Sequence, residues 1–110
     1  MPVVHLKRWN MSIGAGQPLF VIAGLNVLES LDLALSVGRE LKAIAAKLGL
    51  PYVFKASFDK ANRSSIKSYR GPGLAEGLAM LAEVKRTLNV PIATDIHEIA
   101  QAGPVAAVAD

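Results

Sequence analysis

Lys55 and Ser57 stand two positions apart at the end of a short apolar run, YVFKAS. If that run is a strand, its period of two puts both side chains on one side. Directly behind it come Lys60, Asn62, Arg63, Ser64, Ser65, Lys67 and Arg70, among small and polar residues. Arg offers a planar fork, Lys a mobile point charge, and Ser and Asn neutral donors, a set that suits a doubly charged phosphate. The same residues also suit a plain solvated basic loop, and chemistry alone does not choose between the two. A second pair, Asp95 and His97, has the same spacing at the end of VPIATDIH. Asp95 either faces a ligand or caps the helix that follows; His97 either faces a ligand or hydrogen-bonds a nearby carbonyl. A third polar residue, Asn26, follows the apolar run FVIAG.

These groups need elements to hold them, and the pattern supplies an alternation of strand and helix. Residues 1–18 read as an N-terminal β-hairpin, with Val3, Val4, Leu6 and Trp9 as apolar positions and turn chemistry at Ala15-Gly16-Gln17-Pro18. Phe20 to Gly24 reads as a buried parallel strand. A helix follows with Ser30 as N-cap, Leu33, Val37, Leu41, Ile44, Ala45 and Leu48 as its core face, and Gly49 and Pro51 as its stop. Tyr52 to Ser57 is the second strand. Leu74 to Leu88 is the second helix, with Leu74, Leu78, Leu81, Val84 and Leu88 as its stripe and Asn89 at its C-terminal cap. Pro91 to Ile96 is the third strand, and Ala100 to Val108 a short helix broken or restarted at Pro104. The expected class is α/β: a hairpin plus three strand-helix units. Every polar group falls at the C-terminal end of a strand, where a (β/α) barrel keeps its active site.

Bulk composition narrows the function classes. With 52% hydrophobic and 19% charged residues, the chain of 110 residues is globular rather than disordered and fits one domain. The net charge of +3 is concentrated in the central loop and suits a small anion as well as nucleic acid. No nucleic-acid motif appears, and the few aromatics are too scattered for a stacking platform. There is no cysteine, which excludes disulfides and thiolate metal sites. No apolar run approaches the ~20 residues of a membrane span. The expectation is a cytoplasmic protein that uses neither membrane nor nucleic acid.

The residue order is more specific than the chemistry. FKASFDKANRSS, followed by SYRGPGL, resembles the signature of the 3-deoxy-D-manno-octulosonate 8-phosphate synthase family, also called 2-dehydro-3-deoxyphosphooctonate aldolases. The likeness runs from about Phe20 to Asp110, through FVIAGLNVLES, VPIATDIHE and PVAAVAD. The related heptulosonate-phosphate synthases carry KPRTS where this chain has KANRSS, which favours the octulosonate group.

The resemblance implies a condensation of phosphoenolpyruvate with arabinose 5-phosphate, a step toward lipopolysaccharide, with release of inorganic phosphate. It implies that Lys55, Ser57 and Lys60 surround phosphoenolpyruvate and that Lys60 also assists proton movement. Asn62, Arg63 and Ser64 would hold arabinose 5-phosphate, with Arg63 and Ser64 at its phosphate. Asp95 would face the sugar near the reacting centre, with His97 as a further substrate contact. In the family those phosphosugar residues reach a site in a neighbouring subunit, so a homo-oligomer, a tetramer when full length, is implied. Some members depend on metal and carry Cys where this chain has Asn26, whereas metal-independent members carry Asn. A neutral amide is a poor soft-metal ligand, so no cofactor and no metal is expected, with Asn26 in a catalytic position. Lys67 and Arg70 are expected to be structural or interface residues, and Tyr69 and Gly71 to Gly73 to shape the loop.

A closed eight-stranded barrel takes about 250 residues. The sequence is therefore expected to be the N-terminal part of a (β/α)8 TIM barrel, residues 1–110, truncated after the third helix. Alone, such a piece would expose strand edges and be weakly stable and incompletely active.

Overall fold

The computed structural model describes residues 2–61 and 65–110. Strands β1 (Val3–Leu6) and β2 (Met11–Gly14) pair antiparallel, with Val3 opposite Gly14 and Leu6 opposite Met11. A single 3-10 turn, Lys7–Trp9, and Asn10 in the left-handed region (φ 50°) connect them. Asn tolerates that conformation because its short polar side chain bonds locally.

The second sheet is parallel. It holds β3 (Val21–Val27), β4 (Tyr52–Ser57) and β5 (Ile92–Ala93) in the order β3-β4-β5. Helices α1 (Leu31–Lys47) and α2 (Leu74–Leu88) make the crossovers. A 3-10 turn, Ile99–Gln101, then leads into the short helix α3 (Ala102–Ala106), with Pro104 in its first turn. Ser30 caps α1 by accepting the Leu33 N–H at 3.1 Å, and Asn89 closes α2 in the left-handed region. Lys42 of α1 donates to the Leu88 carbonyl at 2.6 Å, tying the first helix to the end of the second.

The core lies between the helices and one face of the sheet. Tyr52, Phe54, Ala56 and Phe58 from β4 and just beyond it meet Ala34 and Ala45 of α1, Leu81, Val84 and Leu88 of α2, and Ile92 of β5. Two glycines bring the helices close. A Cβ at Gly38 would lie 2.7 Å from Leu88 Cδ1 and 3.1 Å from Phe54 Cδ2, and one at Gly77 would overlap Phe58 Cβ.

Four expectations need correction. The α1 core face is Ala34, Gly38 and Ala45, supported by Leu31, Leu35 and Leu41; Leu33, Ile44 and Leu48 are 38%, 47% and 66% exposed. The aromatic rings of β4 take the room that larger side chains would need, so the helix turns its small residues inward. The first parallel strand runs to Val27 rather than stopping at Gly24, so Asn26 lies inside it. It is also only partly buried, on one face, and Ile22 is half exposed, because no described residue covers its other face. Finally, β5 ends at Ala93 rather than Ile96. Beyond it the Thr94 hydroxyl donates to the Ala56 carbonyl at 2.7 Å and keeps the chain against β4 where the ladder stops.

Candidate active site

The sheet face turned away from the helices carries the polar groups. In register, Gly24, Lys55 and Ala93 stand side by side. Glycine and alanine thus flank Lys55 and leave its long side chain room. At Gly24 no side chain fits at all, because a Cβ would overlap the Lys55 carbonyl. Lys55 and Ser57, two positions apart on one strand, meet as expected: Nζ donates to the Ser57 hydroxyl at 3.1 Å. Ser57 is fully buried and passes its own hydrogen to Asp95 Oδ1 at 2.6 Å. Lys55 Nζ also lies 3.9 Å from the same oxygen.

His97 completes the group. Its Nε2 lies 2.6 Å from the Asp59 carbonyl oxygen and 3.5 Å from Asp95 Oδ2. A carbonyl oxygen only accepts, so Nε2 carries the hydrogen. The Phe58 ring meets the imidazole edge-on, with centroids 6.4 Å apart.

Burial pushes the Asp95 carboxyl up. The Ser57 hydroxyl, the Lys55 charge, a backbone N–H and the Lys60 charge together outweigh that push and hold its pKa below the usual carboxylate range. Asp95 is therefore a carboxylate at neutral pH, an acceptor set among cations. Such a cluster can orient hydroxyl groups through Asp95 and hold anions through Lys55 and Lys60.

Lys55, Ser57, Lys60, Asp95 and His97 come together at the ends of β4 and β5. Asn26 does not join their hydrogen bonds. It sits in an irregular stretch of β3, where three residues, Leu25 to Val27, span the two-residue step from Lys55 to Ser57, and it is exposed. Bulges of this kind re-aim a side chain. Asn62, Arg63 and Ser64 lie outside the described residues. Among the described residues no three His, Cys, Asp or Glu side chains converge as a metal site. None of the described helices is long and apolar enough to cross a membrane.

Two contributors were missed from sequence. Thr94 secures the segment that carries Asp95. Asp59 holds Arg70, with Arg70 Nε on Oδ1 at 2.6 Å, and its carbonyl holds His97. An Asp and an Arg eleven positions apart across a loop carry no periodic signal. The nearest hint was SYRGPG, whose glycines bring the chain back: Gly71 and Gly73 take φ of +118° and +90°, and the Gly73 N–H donates to the Phe58 carbonyl at 3.0 Å.

Comparison with known proteins adds a second line of support. Residues 2–110 match the profile of the DAHP synthetase I family. The chain is 60% identical over 105 residues to a 2-dehydro-3-deoxyphosphooctonate aldolase of Hahella chejuensis, which covers 96% of this chain and 37% of that protein. Identity to the protein of that name from Pseudomonas putida GB-1 is 58% over the same shares. For the one from Shewanella amazonensis it is 52% over 100% of this chain and 39% of that protein. The chain thus spans well under half the length of these curated relatives.

Proposed function

Because this chain belongs to the DAHP synthetase I family, we propose that the protein condenses phosphoenolpyruvate with D-arabinose 5-phosphate. The products are 3-deoxy-D-manno-octulosonate 8-phosphate and inorganic phosphate. The observation that carries this reading is the linkage of Lys55, Ser57, Asp95 and His97 at the ends of adjacent parallel strands. The shared name of the relatives, 2-dehydro-3-deoxyphosphooctonate aldolase, supports the same reaction.

In the reaction, C3 of phosphoenolpyruvate bonds to the aldehyde carbon, and the aldehyde oxygen takes up a proton. Water adds at C2 and loses a proton. Phosphate then leaves with its bridging oxygen as the C2–O bond breaks, and the C2 ketone forms. Both substrates are anions, so fixed cations must offset their repulsion. Lys55 and Lys60 supply that charge beside phosphoenolpyruvate. Ser57 orients Lys55, and Lys60 stands where protons move. Asp95, held ionised, accepts hydrogen bonds from the sugar near the reacting carbon, with His97 beside it. Asn62, Arg63 and Ser64 take the phosphosugar end.

The same reading makes residues 1–110 part of a (β/α)8 barrel, with the hairpin of residues 1–18 covering its N-terminal end. It also carries a cytoplasmic homo-oligomer, a tetramer, that needs no metal or other cofactor. Membrane and nucleic acid have no part in it.

The test supplies the intact protein with phosphoenolpyruvate and arabinose 5-phosphate, then follows phosphate release and the mass of the product. Product that requires both substrates is expected. Faster turnover with a shorter aldose phosphate would assign a sister synthase instead. No turnover with any aldose phosphate would overturn the reading.

A further inference from the structure

Around Asp59 the chain is held from several directions. Its carboxylate takes the Arg70 fork on both oxygens, Nε to Oδ1 at 2.6 Å and Nη2 to Oδ2 at 3.3 Å. Its backbone carbonyl accepts the Nε2–H of His97 at 2.6 Å. The next residue, Lys60, donates its backbone N–H to the Arg70 carbonyl at 2.7 Å. One residue earlier, the Phe58 carbonyl accepts from Gly73, and the Phe58 ring is fully buried. Residues 58–60 are thus pinned to residues 70–73 on one side and to His97 on the other.

A single exposed ion pair contributes little, and the Arg70 side chain is 57% exposed. This pair differs because it lies among bonds that fix the same few backbone atoms. The planar fork sets the angle between the two chain segments, and the backbone bond beside it sets their separation. Both Asp59 oxygens are engaged by Arg70, so the carboxylate has a structural partner within the protein.

We propose that Asp59 is a positioning residue: through Arg70 and His97 it fixes where Lys60 and His97 stand relative to Asp95. Its effect on substrate rests on the condensation reading above, whereas the clamp itself does not.

Four variants of the intact protein test this: Asp59→Asn, Arg70→Met, the two combined, and Arg70→Lys. Trypsin cuts after lysine and arginine, and cleavage after Lys60 and Lys67, sites that every variant keeps, reports opening of this segment. Each single variant is expected to be cut at these sites about threefold to tenfold faster. The combined variant should be cut no faster than the faster single, because the two side chains act as one unit. The KM of an anionic substrate should rise by a similar factor with a smaller change in kcat, and Arg70→Lys should restore part of it. Arg70→Met keeps the aliphatic stem of an exposed side chain, so it remains interpretable even if Asp59→Asn unfolds.

Unchanged cleavage in the single variants would overturn the clamp, as would effects that multiply in the combined one. Unchanged KM and kcat in single variants whose cleavage is accelerated would overturn the positioning role. A wild-type protein that fails to condense the two substrates would sink the condensation reading alone, and the cleavage rates would still decide the clamp.

Discussion

The Ser57 hydroxyl gives its hydrogen to Asp95 Oδ1 across 2.6 Å while accepting one from Lys55 at 3.1 Å. One small buried side chain thereby sets both the cation of β4 and the carboxylate beyond β5. Replacing Ser57 with Ala should lift the Asp95 pKa toward the ordinary carboxylate value. It should also cost about 1–2 kcal/mol of stability, through the lost hydrogen bonds. The folded-state pKa of Asp95 lies below its unfolded value. Its contribution to stability is therefore present above the unfolded pKa of about 4 and is lost as pH falls through the folded one. Carbon NMR of the Asp95 carboxyl across an acid titration reads the shift directly. An unmoved midpoint in Ser57→Ala would show that Lys55 and Lys60 hold Asp95 without the hydroxyl.

Tyr52 predicts an effect at the other end of the pH scale. Its hydroxyl donates to the Ala23 carbonyl at 2.8 Å, and burial pushes its pKa up to about 12. Between about pH 10 and that value the unfolded chain ionises this tyrosine and the folded one does not, so stability falls as pH rises. The expected loss is about 2 kcal/mol across the window. Tyr52→Phe should abolish this slope and cost about 1 kcal/mol at neutral pH, through the lost hydrogen bond. Absorbance titration of phenolate together with urea melts at several pH values checks both parts.

Gly77 is a packing prediction. Alanine is the better helix former by about 1 kcal/mol. Its Cβ would nevertheless overlap Phe58 Cβ, and Phe58 is fully buried with nowhere to retreat. Gly77→Ala should therefore destabilise by about 1–3 kcal/mol, the range for overpacking a core. A melting temperature at or above wild type would mean that α2 can slide outward.

Metal removal tests the reading of Asn26. Prolonged treatment with a strong chelator should leave the turnover of the intact protein unchanged, and added divalent cations should not raise it. Activity lost to chelator and regained with a divalent metal would overturn that reading.

Much of this architecture was legible before any coordinates. The bounds of α2, Leu74–Leu88, follow from its apolar stripe and from Asn89, and Ser30 announces the start of α1. The pairing of Lys55 with Ser57 follows from the two-residue period of β4, whereas Asp95 and His97 meet in the loop beyond β5, where that period does not apply. The face of α1 was not legible. Counting large aliphatic residues picks Leu33, Ile44 and Leu48, whereas the inward residues are chosen by the bulk of Phe54 and Leu88 on other elements. The same limit hid Asp59. Its partners Arg70 and His97 come from two separate later segments, and nothing local marks them as neighbours.

The place of β4 in the sheet also has a consequence in time. It is hydrogen-bonded along both edges, and all its residues but Lys55 are buried, while β3 and β5 each have one edge unpaired among the described strands. Local opening starts where backbone bonds meet solvent, so the amide hydrogens of β4 should be the last in the sheet to exchange for deuterium. Lys55 and Ser57 ride on that slowest segment. Fraying of the neighbouring strands would disturb what the cluster touches before it disturbs the footing of those two side chains.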